Sequence, residues 1–272
     1  MIKIVCDGVA DQIVVPLIFP DSTSQVWKLN LDQYEPLADL KIVWNFEQEA
    51  ELIWLMQLME LLYVKNFKVA ELYIPYLPYG RQDKEYDNEL TFARNTFINI
   101  LSNAPIIDIH TITTLDIHSH TWAIHSYSPK VYIDKSIKEF DADVLVFPDS
   151  GAYNRYGTMY KEYNCLVLDK VRDQKTGWIA SLKLDEELSD EIFASDDGIR
   201  FLIIDDICDG GATFNRASLF LHSAFCNSTV GLYTTHGIYS KGFEGMINSG
   251  ITKFYTTQSL IQNVNGYKLQ EV

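Results

Sequence analysis

Strand-like and helix-like segments alternate along this chain, and several of the strands have a continuous apolar middle. "DVLVFPD", "CLVLDKV" and "RFLIIDD" follow one another in the second half, and "IKIVCD", "KIVWNF" and "TITTLDIH" in the first. A strand that is apolar on both faces needs cover on both. The pattern therefore predicts an α/β fold with mostly parallel sheets and helices packed on either side. Helical length and composition place helices near 47–66, 89–103, 152–163 and 213–225. No internal repeat, low-complexity tract or long Pro/Gly/Ser linker interrupts the alternation. Open sheets of this kind gather ligands just beyond the carboxyl ends of their strands. Arg81, His118, Asp149 and Asp205 stand at such strand ends.

Composition narrows the partners. The 272 residues are 47% hydrophobic and 22% charged, as expected of a globular protein with ample core, and the formal net charge is −15. That field disfavours nucleic acid and anionic membranes, and a phosphate ligand would need local cations or a metal. The longest apolar stretch, "LIWLMQLMELLYV", is broken by Gln57 and Glu60 and is short for a membrane span, so it reads as a buried helix. There is no secretory pattern at the start. Cys6, Cys165, Cys208 and Cys226 form no CxxC pair and have no histidine at metal-ligand spacing; they read as reduced thiols of a cytoplasmic protein.

The chemistry concentrates in "FLIIDDICDGGATF", Phe201 to Phe214. The strand delivers Asp205 and Asp206 to its carboxyl end, a glycine loop follows, and a helix starts near Thr213. Backbone N–H groups of such a loop cradle an anion, and Gly210 and Gly211 let the backbone approach it closely. Adjacent carboxylates repel a phosphate, so they suit something else: two vicinal hydroxyls or a Mg²⁺ ion. A ribose phosphate offers a diol for the acids and a phosphate for the loop. No GKS or GKT is present, which excludes a P-loop.

This stretch resembles the phosphoribosyl-pyrophosphate loop of type I phosphoribosyltransferases and of ribose-phosphate pyrophosphokinases. Five other stretches resemble segments of the pyrophosphokinases, in that family's order, and ordinary phosphoribosyltransferases lack the first half of the set. "YIPYLPYGRQDKEYD" has its Pro-Tyr entry and Arg-Gln-Asp core. "TTLDIHSH" matches its Asp-Leu-His strand end, and "VLVFPDSGAYNRY" its Pro-Asp-x-Gly-x-x-x-Arg stretch. "LDKVRD" matches its Lys-x-Arg loop, and "TTHGIYSKG" the Thr-His-x-x-Phe-Ser segment. The resemblance covers about 47–260. It implies two tandem type I phosphoribosyltransferase-like domains, 1–140 with the ATP-binding segment and 141–272 with the ribose-phosphate loop, breaking near Phe140 with the active site between them. It also implies transfer of the β,γ-diphosphate of ATP to the anomeric hydroxyl of a 5-phosphorylated ribose, with Mg²⁺ as the metal, in at least a homodimer.

Roles follow by the same resemblance. Arg81, Gln82 and Asp83, with Phe19 and Asp21, would contact ATP. His118 and Asp149 match metal positions. Lys170, Arg172 and His118 would serve catalysis, the first two from a strand pair. Asp205 and Asp206 would hold the ribose hydroxyls. Asp209, Gly210, Gly211, Ala212 and Thr213 would form the phosphate loop.

The chain departs from the family at four places. Thr23 stands where a glutamate belongs in the Phe-x-Asp-Gly-Glu element that reaches a neighbouring subunit's adenine. Acidic "KEYDNE" replaces a basic loop after Asp83, Thr121 replaces a glutamine, and Asp209-Gly210-Gly211-Ala212-Thr213 replaces Asp-Thr-Gly-Gly-Thr. The last change removes one hydroxyl donor to the 5-phosphate, worth roughly 1.5–3 kcal/mol for a charged acceptor, and opens space beside it. A larger 5-substituted ribose such as ADP-ribose would use that space, and compact pyrophosphokinase-like proteins of viral NAD-salvage pairs show a similar pattern. Two other readings remain: a phosphoribosyltransferase that uses the diphosphate sugar as donor, and a non-catalytic relative that binds partners. The Arg81-Gln82 block and Lys170-x-Arg172 argue against the first. The retained Lys170, Arg172, His118 and loop aspartates argue against the second.

Overall fold

The computed structural model describes residues 1–35, 38–83, 91–105, 109–121, 124–172, 179–184, 198–260 and 270–271. They form two compact α/β units, the first holding Met1–Ser128 with the short stretch from Ser259, and the second Pro129–Gln258 with 270–271. Each has its own mostly parallel sheet.

The first unit contains β1 (Ile2–Cys6), β2 (Val9–Val14), β3 (Pro16–Ile18), β4 (Ser24–Val26), β5 (Asp39–Trp44), α1 (Ala50–Val64), β6 (Lys68–Ile74), α2 (Ala93–Ser102), β7 (Ile112–Leu115) and β8 (His125–Tyr127). Its six-stranded sheet runs β2-β1-β5-β6-β7-β8. β1 is antiparallel to both its neighbours, and β5 to β8 are parallel. β3 and β4 make a separate hairpin. One face of the sheet is the core: Ile2, Ile4, Leu40, Ile42, Trp44, Leu72, Ile74 and Ile112 are all buried. α1 seals it with Leu55, Leu58, Met59 and Leu62, a spacing of three to four residues that keeps one stripe inward. "LIWLMQLMELLYV" is thus not buried all round, as its composition had suggested: Ile53, Tyr63 and Val64 stay more than half exposed. Among the described residues no helix is long and apolar enough to cross a membrane.

The second unit contains α3 (Lys130–Phe140), β9 (Val144–Phe147), α4 (Ser150–Tyr156), β10 (Asn164–Arg172), β11 (Ile179–Leu184), β12 (Arg200–Cys208), α5 (Ala212–Ala224), β13 (Thr229–Gly237), α6 (Glu244–Asn248), β14 (Ile251–Thr256) and β15 (Gln270–Glu271). The sheet order is β11-β10-β9-β12-β13-β14-β15, with only the β10–β11 pair antiparallel. Both faces are apolar. Val144, Val146, Phe201, Ile203, Val230 and Leu232 pack under Phe214, Ala217 and Leu221 of α5 and Met246 of α6. Leu145, Phe147, Leu202, Ile204 and Tyr233 pack under Ile133, Ile137 and Phe140 of α3 and Tyr156 of α4. This double cover is the reason that "VLVF" and "FLII" are apolar at every position.

The division between the units falls after Ser128, ahead of the break near Phe140 expected from sequence. α3 accounts for the difference. It buries Ile133, Ile137 and Phe140 on the second sheet and ends at Asp141, whose backbone is left-handed (φ 57°) and whose N–H reaches the Ile137 carbonyl. All four cysteines are free thiols.

Candidate active site

The loop of the second unit is built as its sequence suggests, and it is tighter. β12 continues past the two aspartates to Cys208, with Asp205 in register with Thr234 of β13 and Cys208 with Gly237. Gly211 then adopts a left-handed backbone (φ 74°), and α5 starts at Ala212. A side chain at Gly211 would meet the Met246 sulfur at 2.8 Å, so this position combines a left-handed φ with a close approach to α6. Ala212 is exposed and Thr213 half-buried on the first turn of the helix. Asp209 is exposed, and its Oδ1 accepts a 2.5 Å hydrogen bond from the Ser240 hydroxyl.

The two aspartates are not equivalent. Asp206 is 4% exposed and pairs with Arg155 of α4, the guanidinium nitrogen lying 3.3 Å from Oδ2. Asp205 is half-buried, and its Oδ1 accepts the Asp206 backbone N–H at 2.9 Å. Its carboxyl is raised well above the ordinary carboxylate range, first by loss of solvent and then by the charges of Asp206 and Asp149. A carboxyl held in that way can donate as well as accept a hydrogen bond, which suits a diol. Cys208 lies deeper: its thiol is 3.9 Å from the Met246 sulfur, and burial pushes its pKa up to about 12. It is therefore not a nucleophile.

Asp149 is the N-cap of α4, accepting the Ala152 N–H at 2.9 Å. Among the described residues no three His, Cys, Asp or Glu side chains converge as a metal site. The Asp149 charge adds to the cost of ionising Asp205, and a divalent cation beside them would relieve that repulsion. Such a site fits Mg²⁺, which takes one or two carboxylates and completes its shell with water and substrate phosphate oxygens. Lys170 and Arg172 lie on β10 opposite Leu182 and Ile179 of β11, with a bulge between Val171 and Arg172.

In the first unit the strand ends carry the remaining residues. β6 stops at Ile74, and the Pro75 carbonyl accepts the Leu115 N–H at 3.2 Å. A turn follows in which Gln82 N–H reaches the Tyr79 carbonyl at 3.0 Å. Tyr79 is left-handed (φ 61°), and its hydroxyl donates to Glu49 at 2.6 Å. That bond raises the phenol to about 12. Arg81 and Gln82 are presented exposed on this turn, with Asp83 half-buried beside them. The acidic stretch 84–89 lies outside the described residues. At the end of β7, Asp116 is left-handed (φ 47°) and 5% exposed, and its N–H reaches the Tyr127 carbonyl at 3.0 Å. His118 follows, exposed. Phe19 and Asp21 sit on the β3–β4 turn. There Asp21 Oδ1 accepts the Thr23 hydroxyl at 2.7 Å and its N–H at 3.0 Å, which lowers the Asp21 carboxyl. Thr23 thus caps Asp21 within the turn.

Arg155 is the site residue that reading for roles missed. Its signal was present in the final arginine of Pro-Asp-x-Gly-x-x-x-Arg, but nothing local says that an arginine on the next helix reaches Asp206.

No protein-family model matches the chain. It is 24% identical over 257 residues to the ribose-phosphate pyrophosphokinase of Sulfurisphaera tokodaii, covering 90% of this chain and 84% of that one. It is 22% identical over 273 aligned positions to that of Sulfolobus acidocaldarius, covering 94% and 87%. In three dimensions it matches the crystal structure of phosphoribosylpyrophosphate synthetase from Mycobacterium smegmatis with a TM-score of 0.72. That match has 17% identity and spans 97% of this chain and 87% of the other. At that identity the structural likeness establishes the fold: two tandem phosphoribosyltransferase-like domains with mostly parallel sheets.

Proposed function

The chain belongs to the ribose-phosphate pyrophosphokinase family, and from that premise we propose that it transfers the β,γ-diphosphate of ATP to the anomeric hydroxyl of a 5-phosphorylated ribose, releasing AMP. The observation that carries the reading is the second unit's strand end. A raised Asp205 and an Arg155-anchored Asp206 stand directly before a glycine turn that opens a helix. Diol recognition and phosphate recognition therefore sit next to each other in one segment of backbone.

The chemistry asks for positioning and charge neutralisation rather than covalent catalysis. Asp205 and Asp206 hold the sugar hydroxyls. Residues 209–213 hold the 5-phosphate with backbone N–H groups. Arg81, Gln82 and Asp83, with Phe19 and Asp21, bind ATP; an arginine on an exposed turn suits phosphate oxygens because its fork donates two parallel bonds. Lys170 and Arg172 neutralise the diphosphate as it moves. His118 and Asp149 serve the metal, and a bound Mg²⁺ would polarise and neutralise phosphate oxygens. The working unit in this reading is at least a homodimer.

A ribose that continues beyond its 5-phosphate, of which ADP-ribose is the example, is the alternative acceptor to ribose 5-phosphate, since Gly210 brings no hydroxyl donor for a terminal phosphate and Ala212 is exposed. The product would then serve NAD synthesis. The test is mass spectrometry of products from ATP and Mg²⁺ with either ribose 5-phosphate or ADP-ribose. AMP together with a diphosphorylated sugar supports the reading, and the better acceptor identifies the substrate. No AMP with either acceptor removes it, and turnover of ribose 5-phosphate equal to or better than ADP-ribose removes the larger acceptor.

A further inference from the structure

The phosphate loop has a cation that its sequence does not advertise. Lys241 lies in the segment after β13, thirty residues from the loop in sequence, yet its side chain runs along Gly210. A Cβ built on Gly210 would stand 3.2 Å from Lys241 Cδ, 3.4 Å from Cε and 3.5 Å from Cγ. The lysine stem thus packs tightly beside the place where a side chain at position 210 would start. The ammonium is one bond further on.

This placement is held by the backbone. Ile238 and Tyr239 both donate their N–H groups to the Cys208 carbonyl, at 2.8 and 3.1 Å, so the segment is tied to the last residue of β12. Tyr239 is left-handed (φ 48°), Gly242 is too (φ 66°), and the Gly242 N–H closes the turn on the Tyr239 carbonyl at 2.8 Å. The Tyr239 ring packs on Phe243 with centroids 4.4 Å apart. Ser240 bonds Asp209. The residues just before Lys241 are therefore fixed to the start of the loop, while Lys241 itself is exposed. Among the described residues no carboxylate pairs with it. The cost of such a cation is small in water, and its value appears only when an anion arrives. Exposed Asp209 otherwise makes this end of the sheet unfavourable to phosphate.

We propose that Lys241 is an acceptor-binding residue that contacts the phosphate on the 5-oxygen of the sugar, replacing from across the loop the donor that Gly210 lacks. This rests on the reading of residues 209–213 as the sugar-phosphate site. Glycine at 210 and lysine at 241 then form one device: a hydroxyl-bearing side chain at 210 would crowd the lysine stem and push it aside by a few tenths of an ångström. A lysine is a mobile point charge rather than a fixed hydroxyl, so it accepts a phosphate whose outer oxygen is esterified as readily as a terminal one.

The experiment measures the dissociation constants of ribose 5-phosphate and ADP-ribose by calorimetry, and KM and kcat for each with ATP and Mg²⁺. It uses the whole chain and the variants Lys241→Ala and Lys241→Arg. Lys241→Ala should weaken binding of the acceptor that the wild type uses by roughly ten- to a hundredfold, the loss of one charge-assisted hydrogen bond. Its KM for ATP should stay unchanged. Lys241→Arg should restore most of the acceptor affinity. Because Lys241 is exposed, equal thermal midpoints should exclude misfolding. An acceptor affinity unchanged in Lys241→Ala, or an equal rise in KM for ATP, overturns the proposal and leaves the function reading intact. A wild type that binds neither acceptor overturns both.

Discussion

The two sheets are built to the same plan but closed differently. In the second, every position of Val144–Phe147 is buried, and Phe201, Leu202, Ile203 and Ile204 are buried without a break. Helices lie on both sides. In the first, Leu40, Ile42 and Trp44 are fully buried while Lys41 and Val43 between them are only half-buried. The alternate face there carries a polar network in place of a second core. Lys41 Nζ lies 2.7 Å from Glu71 Oε2, the Tyr127 hydroxyl donates to Glu71 Oε1 at 3.0 Å, and Thr113 donates to the same oxygen. Lys41 also sits 4.8 Å from the centre of the Tyr73 ring. Parallel strands usually demand two apolar faces. The first sheet shows that a satisfied hydrogen-bond network closes the second face instead, at the cost of making that face sensitive to charge.

The comparison breaks most sharply in the cores. Leu202→Ala should cost about 2–5 kcal/mol, since it opens a cavity under α3. Val43→Ala on the half-buried face of the first sheet should cost only about 1 kcal/mol. Hydrogen exchange resolved by segment assigns each loss to its unit, and equal losses would refute the one-faced description. Next is Arg155→Ala, which removes the Arg155 guanidinium from the buried Asp206 carboxylate. With Arg155 partly exposed, the cost should be roughly 2–3 kcal/mol, below the range of about 3–5 for a fully buried pair. The double variant Arg155→Ala with Asp206→Asn should recover part of it in urea unfolding.

Glu71→Gln probes the polar face and should cost about 1 kcal/mol at neutral pH. Burial opposes ionisation of Glu71, but the bonds from Lys41, Thr113 and Tyr127 outweigh it and its carboxyl is lowered. Its contribution is therefore present above the ordinary glutamate value of about 4.3 and lost as pH falls through the depressed one. The penalty of the substitution should disappear in acid, and a penalty that persists there would point to packing rather than charge. The last effect has the opposite sign. Asp205 is raised by burial and by Asp206 and Asp149, so the folded state disfavours its ionisation. Asp205→Asn keeps the bond to the Asp206 N–H and should raise the thermal midpoint at pH 7. That gain should shrink as pH falls toward the ordinary aspartate value of about 3.9, where both states are protonated. The same variant should lose acceptor turnover, so stability and activity move in opposite directions.

The fold was largely legible because its signals are local. Continuous apolar runs require two-sided cover, and a glycine pair after adjacent acids sets the strand, turn and helix. The structure places those helices at Ala50–Val64 and Ala212–Ala224. α3 was not legible: its inward Ile133, Ile137 and Phe140 are separated by charged residues, and much of what they cover lies on β12 and β13, far along the chain. The polar face was illegible for a similar reason. Lys41, Glu71, Thr113 and Tyr127 read as ordinary surface residues until strand register brings them together.

The candidate site divides along the same line. By itself the sequence determined which residues stand at the strand ends, that a glycine turn opens α5, and which family the order of blocks resembles. All of these are set by neighbours in the chain. Only the tertiary structure decided that Asp205 and Asp206 differ, that Arg155 is the ion partner of Asp206, and that the stem of Lys241 fills the space beside Gly210. Those facts depend on which side chains meet across separate strands and helices, and on how far each carboxylate is withdrawn from water. Neither quantity exists until the chain has folded.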